Sequence, residues 1–100
     1  MLGTGMNKLK KLDSNHFYTR FVDGIWKLRA PVMFGGDRKE ALEIFTSLHK
    51  SYPADEDVSL NLAVAYIEND DESKAISIVN SVLNRNPNNL WAAKLARELE

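Results

Sequence analysis

The sequence contains no cysteine, so disulfides, thiolate metal sites and thiol catalysis are all excluded. The redox compartment stays open, because a cysteine-free chain suits either side of a membrane. Proline is scarce, with three in 100 residues, and no run approaches the ~18 consecutive apolar residues of a membrane helix. The opening Met1-Leu2-Gly3-Thr4-Gly5-Met6, followed by Lys8, Lys10 and Lys11, lacks the apolar stretch of a signal peptide. A formal net charge of −1 argues against general binding to a phosphate backbone, so no nucleic-acid partner is expected. What the chain does have is 44 % hydrophobic residues, enough for a core at this length.

The charge is unevenly placed. Residues 1–50 carry nine Lys and Arg against five Asp and Glu, and residues 51–100 carry four against nine. This reads as drift along an elongated stack of helices, with head-to-tail attraction between neighbouring repeats or molecules as the alternative.

A spacing organises the rest. Ala41-x3-Phe45 followed by Pro53 returns 34 residues later as Ala75-x3-Val79 followed by Pro87. Between the copies lies Leu62-Ala63-x2-Tyr66. A fixed period of this size marks an array of helix–turn–helix repeats. Apolar periodicity predicts helices near 15–29, 37–50, 55–68, 71–85 and 89–99, with no strand signal. Met6, Leu9 and Leu12 give a short earlier stripe. Asp13-Ser14-Asn15 then reads as a turn and N-cap, and Asp37 with Glu40 as a capping box. Asp55-Glu56-Asp57 and Asp70-Asp71-Glu72 open helices, where carboxylates meet the positive end of the helix dipole. They lack the alternating ligands and central glycine of a calcium loop. The third helix is apolar around most of its circumference, which predicts the most buried element. Ala41, Ala63 and Ala75 are the expected points of close helix approach.

The residues that match the period, Leu62, Ala63, Tyr66, Ala75 and Pro87 together with Ala41, Phe45 and Pro53, resemble the tetratricopeptide repeat family over about residues 15–100. The expected fold is all-α, a right-handed solenoid of two helical hairpins plus a terminal helix. Residues 1–14 would be the tail of a preceding helix or a linker. Repeat 1 would span about 15–53, repeat 2 about 54–87, and the terminal helix 88–100. The chain is expected to be a piece of a longer parent. The resemblance implies a non-catalytic scaffold that holds a peptide or helix of a protein partner in a concave groove, with no cofactor and no membrane insertion. Its rivals are a structural segment that stacks on neighbouring repeats or self-associates, and a helper of an envelope transport system. The last rests on Pro31-x2-Phe34-Gly35-Gly36-Asp37, which is similar to a lengthened turn in a subset of bacterial envelope members; repeat 1 is five residues longer than repeat 2 for this reason.

Groove candidates are Tyr18, Val22 and Ile25 on the first helix and Leu60, Asn61, Val64 and Ile67 on the third. Some family members hold a C-terminal carboxylate with Asn, Lys and Arg. Asn61 sits where such an Asn would, but Trp91 and Leu95 stand where the cations belong, so that sub-function is rejected. Met33 and Phe34 are expected to fold onto the helices, or else to form a lip facing the partner. His16 and His49 have no partner at i+3 or i+4 and read as surface or cap residues. No set of nucleophile, acid–base or metal ligands is visible, which argues against an enzyme.

Overall fold

The computed structural model describes the backbone of residues 2–100 and the side chains of residues 16–100. Five α-helices follow one another: α1 (Leu2–Arg29), α2 (Arg38–Ser51), α3 (Glu56–Glu68), α4 (Glu72–Arg85) and α5 (Leu90–Glu98). A short 3-10 turn, Val32–Phe34, joins α1 to α2. No strand occurs among the described residues. The architecture is the expected all-α stack, with hairpins α1–α2 and α3–α4 followed by α5.

Side-chain caps explain where four of the helices begin. Asp37 accepts from the Glu40 N–H at 3.1 Å, Asp55 from Val58 at 3.0 Å, Asp71 from Lys74 at 3.4 Å and Asn89 from Ala92 at 2.9 Å. The capping box at α2 is only half formed. The Glu40 carboxylate reaches Lys27 Nζ at 2.7 Å instead, and the Asp37 N–H donates to the Lys27 carbonyl at 2.8 Å. Lys27 thereby donates one bond and accepts another between α1 and the start of α2, and its ammonium is stabilised above the usual lysine range, chiefly by the Glu40 bond.

The start of α1 departs from expectation. Its backbone is helical through Asp13-Ser14-Asn15, so the turn and cap expected there do not form. Each of these residues costs only a few tenths of a kcal/mol in a helix interior, and no proline interrupts. The side chains of the Met6, Leu9 and Leu12 stripe lie outside the described residues.

Two apolar clusters form the core, and α3 supplies both. Val58, Leu62 and Ala65 join Leu28, Ala41, Ile44, Phe45 and Leu48 in the first. Leu60 and Ala63 join Ala75, Val79, Val82, Ala92 and Leu95 in the second. Seven consecutive or near-consecutive residues of α3 are buried, as its all-round apolar pattern predicts. Ala41, Ala63 and Ala75 are fully enclosed at the helix contacts. The repeat also recurs at the helix ends: the Tyr52 and Asn86 N–H groups bond to the Leu48 and Val82 carbonyls, both at 2.8 Å, just before Pro53 and Pro87.

A fourth small residue was not legible. Gly24 of α1 faces the Phe45 ring so closely that an added Cβ would lie 2.8 Å from Cζ and 2.9 Å from Ile44 Cγ2. Alanine favours helix over glycine by about 1 kcal/mol. Phe45 is fully buried and has nowhere to move, so overpacking of about 1–3 kcal/mol opposes that gain. Gly24→Ala is therefore expected to lower the midpoint of urea unfolding, although the change improves helix propensity. A raised midpoint would mean that α1 and α2 lie further apart than described.

Beyond the core, Glu56 ties the start of α3 to the turn before α5. Its Oε1 accepts from Asn89 Nδ2 at 2.7 Å and from Asn86 Nδ2 at 3.0 Å. These two bonds, in that order, hold the carboxyl below the usual glutamate range. A carboxyl lowered in the folded state contributes stability that is present above its unfolded pKa and lost as pH falls through the folded value. Thermal stability is expected to drop on acidification below about pH 4.5, and Glu56→Gln should show a shallower drop. Identical acid profiles for the two proteins would remove Glu56 from this role.

Candidate functional site

The first helices of successive hairpins, α1, α3 and α5, line one face of the stack. Arg29 of α1, Val64, Ile67 and Glu68 of α3, and Trp91, Lys94, Leu95 and Glu98 of α5 enclose a cleft of ≈ 290 Å³. Its floor is apolar, and its charged groups, Arg29 and Lys94 against Glu68 and Glu98, balance. Positions 18, 22, 26 and 29 of α1 are three or four apart and therefore share one face. On that face Tyr18, Val22 and Trp26 are 63 %, 63 % and 55 % exposed. With Thr19 and Asp23 they line a shallow depression of ≈ 580 Å³. Arg29 carries this stripe to the cleft.

The groove candidates separate into three groups. Tyr18 and Val22 are exposed, and Val64 and Ile67 are half-buried cleft walls. Ile25 packs against the first core cluster. Leu60 is not a groove residue: it is fully buried in the second cluster, because α3 presents it to α4 and α5. Asn61 is also buried, at 2 % exposure, and cannot anchor a ligand as an open groove residue would. Its Nδ2 donates to the Asp57 carbonyl at 2.9 Å, while its Oδ1 has no partner. A buried amide oxygen without a donor is costly, and nothing in the surrounding contacts explains it.

Trp26 and Trp91 read from the sequence as either core or groove, whereas Arg29, Glu68, Lys94, Leu95 and Glu98 were not among the groove candidates. The period itself carried a signal for three of them. Shifting the candidate positions 60, 61 and 64 by one 34-residue repeat lands on Lys94, Leu95 and Glu98. No such rule identifies Arg29 or Glu68, which sit at helix ends brought together by stacking.

The long turn is ordered but not packed. Backbone bonds close it: Phe34 N–H and Gly36 N–H donate to the Pro31 carbonyl at 2.9 and 3.0 Å, and Gly35 N–H donates to Val32 at 3.1 Å. Gly35 has φ 98°, in the left-handed region that glycine tolerates. An added Cβ there would lie 3.1 Å from Trp26 Nε1, and at Gly36 it would collide with the Ala30 carbonyl. The glycines thus take the places nearest the helix, and Val32, Met33 and Phe34 are directed outward. Met33 is 83 % and Phe34 65 % exposed, so the expected packing of these side chains onto the helices does not occur. Order here comes from hydrogen bonds and glycine geometry. Phe34→Ser should accordingly change stability by less than about 0.5 kcal/mol, whereas Gly36→Ala should destabilise clearly by chemical denaturation. The reverse ranking would restore the packed turn.

An all-helical stack whose hairpins share buried faces is a helical-repeat module. A tetratricopeptide repeat family model matches residues 35–98, and the chain belongs to that family. No curated protein and no solved structure matches the chain. The family is generally a non-catalytic scaffold that mediates protein–protein interaction. No helix among the described residues is long and apolar enough to cross a membrane.

Proposed function

We propose that the chain holds a helix or extended peptide of a partner protein along the concave side of α1, α3 and α5. The observation that carries this reading is the stripe Tyr18, Val22 and Trp26. Three large apolar side chains on one helical face, each more than half exposed, run toward a cleft with apolar walls. Exposed aromatic patches rimmed by polar groups are where partners dock, and tryptophan and tyrosine are the side chains that most often dominate such contacts. Val64, Ile67 and Trp91 extend the apolar track, and Arg29, Lys94, Glu68 and Glu98 supply charges of both signs at its rim. Met33 and Phe34 form the lip at the end of α1. An amphipathic helix with spaced apolar anchors fits this surface better than a carboxylate-terminated peptide, because Asn61 is buried and Trp91 and Leu95 occupy the cation positions.

A second reading is favoured by the other end of the stack. Ile76, Val79, Asn80, Ala96, Leu99 and Glu100 line a cleft of ≈ 300 Å³ between α4 and α5. Stacking on another repeat, or on a second copy, would cover that cleft. In that case the mass measured by sedimentation rises with concentration. The turn Pro31–Asp37 supports a parent in the bacterial envelope, which a lipoprotein signal encoded upstream of the repeat would corroborate.

The groove reading is tested with peptides selected from a random display library against the folded domain. Trp26→Ala is expected to weaken binding of the selected peptides at least about tenfold, the loss typical of a hot-spot truncation. Its melting temperature should stay within a few degrees of the parent, since Trp26 contributes little to the core. Selected peptides that bind Trp26→Ala and Val22→Asp as well as the parent would place the site elsewhere.

A further inference from the structure

The opposite side of the stack, formed by the second helices of the hairpins, carries a different kind of cleft. It encloses ≈ 420 Å³ between His49 of α2, Pro53, Ser59 of α3, and Ser77, Ile78, Ser81, Val82 and Arg85 of α4. Ser77, Ser81 and Arg85 succeed one another at four-residue steps, so α4 presents two hydroxyls and a guanidinium along one line. Ser59 is 1 % exposed, and its Oγ lies 3.3 Å from His49 Nδ1. The Arg85 guanidinium donates to the Pro53 carbonyl at 3.5 Å, which holds it at the rim. No carboxylate lines the cleft. Glu56 lies near enough to Arg85 for their charges to interact, but it does not line the cleft, and its Oε1 accepts from Asn86 and Asn89.

We propose that this cleft is a binding site for a tetrahedral oxyanion, a phosphate or sulfate group, held by Arg85, His49 and the hydroxyls of Ser59, Ser77 and Ser81. The donor inventory matches such a ligand. A guanidinium and an imidazolium supply charge, and three hydroxyls supply neutral donors that compete with no acidic neighbour in the cleft. The His49–Ser59 pair couples binding to proton uptake. With neutral imidazole and a bare Nδ1, the Ser59 hydroxyl donates to that nitrogen. Once the ring is protonated, Nδ1–H donates to Ser59 Oγ, and the hydroxyl proton is free to turn toward the anion. The anion thus gains a charge and a donor from one protonation. Arg85 is the other charged group lining the cleft. The neighbouring Lys50 and Glu43 of α2 line a separate depression.

The site is tested by titrating sodium sulfate, which stays dianionic across the range, into the labelled full chain while following amide resonances. Saturable shifts are expected at residues 49, 59, 77, 81 and 85. Affinity should be several-fold higher at about pH 6 than at about pH 8, where imidazoles lose their charge. Arg85→Gln, an exposed change that leaves the core intact, should weaken binding roughly tenfold or more, the scale of one charge-assisted bond. His49→Gln should remove the pH dependence while the protein still melts cooperatively. Shifts that grow linearly without saturating, or that are equal in the parent and Arg85→Gln, would overturn the site. Saturable binding with the same affinity at both pH values would overturn the role of His49. Comparing inorganic phosphate with phosphoserine at one pH then separates the sources. Tighter phosphoserine binding means the group arrives on a chain, and equal or weaker binding means a free anion.

Discussion

Helix α3 has almost no surface of its own, and the rest of the structure depends on keeping it covered. Val58, Leu62 and Ala65 need the first hairpin, whereas Leu60 and Ala63 need α4 and α5. A hairpin alone would leave one of those faces in water, at a cost of about 1.5–3 kcal/mol for each large side chain exposed. Stacking is therefore a condition of folding, and order must propagate from one hairpin to the next. The enclosed alanines and Gly24 make this possible by letting backbones approach where a larger side chain would hold them apart.

The same stacking generates two unlike faces. The first helices of the hairpins bring Tyr18, Val22, Trp26, Val64, Ile67 and Trp91 to one side. On the other side the second helices, with the buried Ser59 of α3, set serines, a histidine and an arginine around a cleft. The first suits apolar contact with a partner segment, and the second suits hydrogen bonding to a small polar ligand.

Polar contacts place the connections without supplying much stability. Lys27 joins α1 to α2 through Glu40 and the Asp37 N–H, and Arg38 meets Glu68 at 3.6 Å between α2 and α3. Asn69 Nδ2 reaches the Arg38 carbonyl at 3.0 Å across the same junction. Exposed ion pairs contribute about 0–1 kcal/mol each. Their use here is angular: the Lys27 bonds fix α1 against α2 within the first hairpin, and the Arg38 contacts join that hairpin to the end of α3.

The 34-residue period, the caps at Asp37, Asp55, Asp71 and Asn89, and the all-round apolar pattern of α3 determined the family, the five helices and most of the core. Those are local or periodic properties, and they can be read one residue at a time. The length of α1 escaped that reading, because Asp13, Ser14 and Asn15 favour a helix start but cost only a few tenths of a kcal/mol each inside one. The outward turn of Met33 and Phe34 escaped it because Gly35 and Gly36, not the apolar side chains, take the space beside Trp26 and Ala30. Leu60 and Val64 are both apolar residues of one helix, and their sequence pattern does not say which is core and which is cleft. Only the position of α4 and α5 decides that, since burial is a property of what arrives from elsewhere in the chain. The pairing of His49 with Ser59, and the place of Arg85 on the same cleft, have the same origin: three residues from three helices come to one cleft only when the hairpins stack.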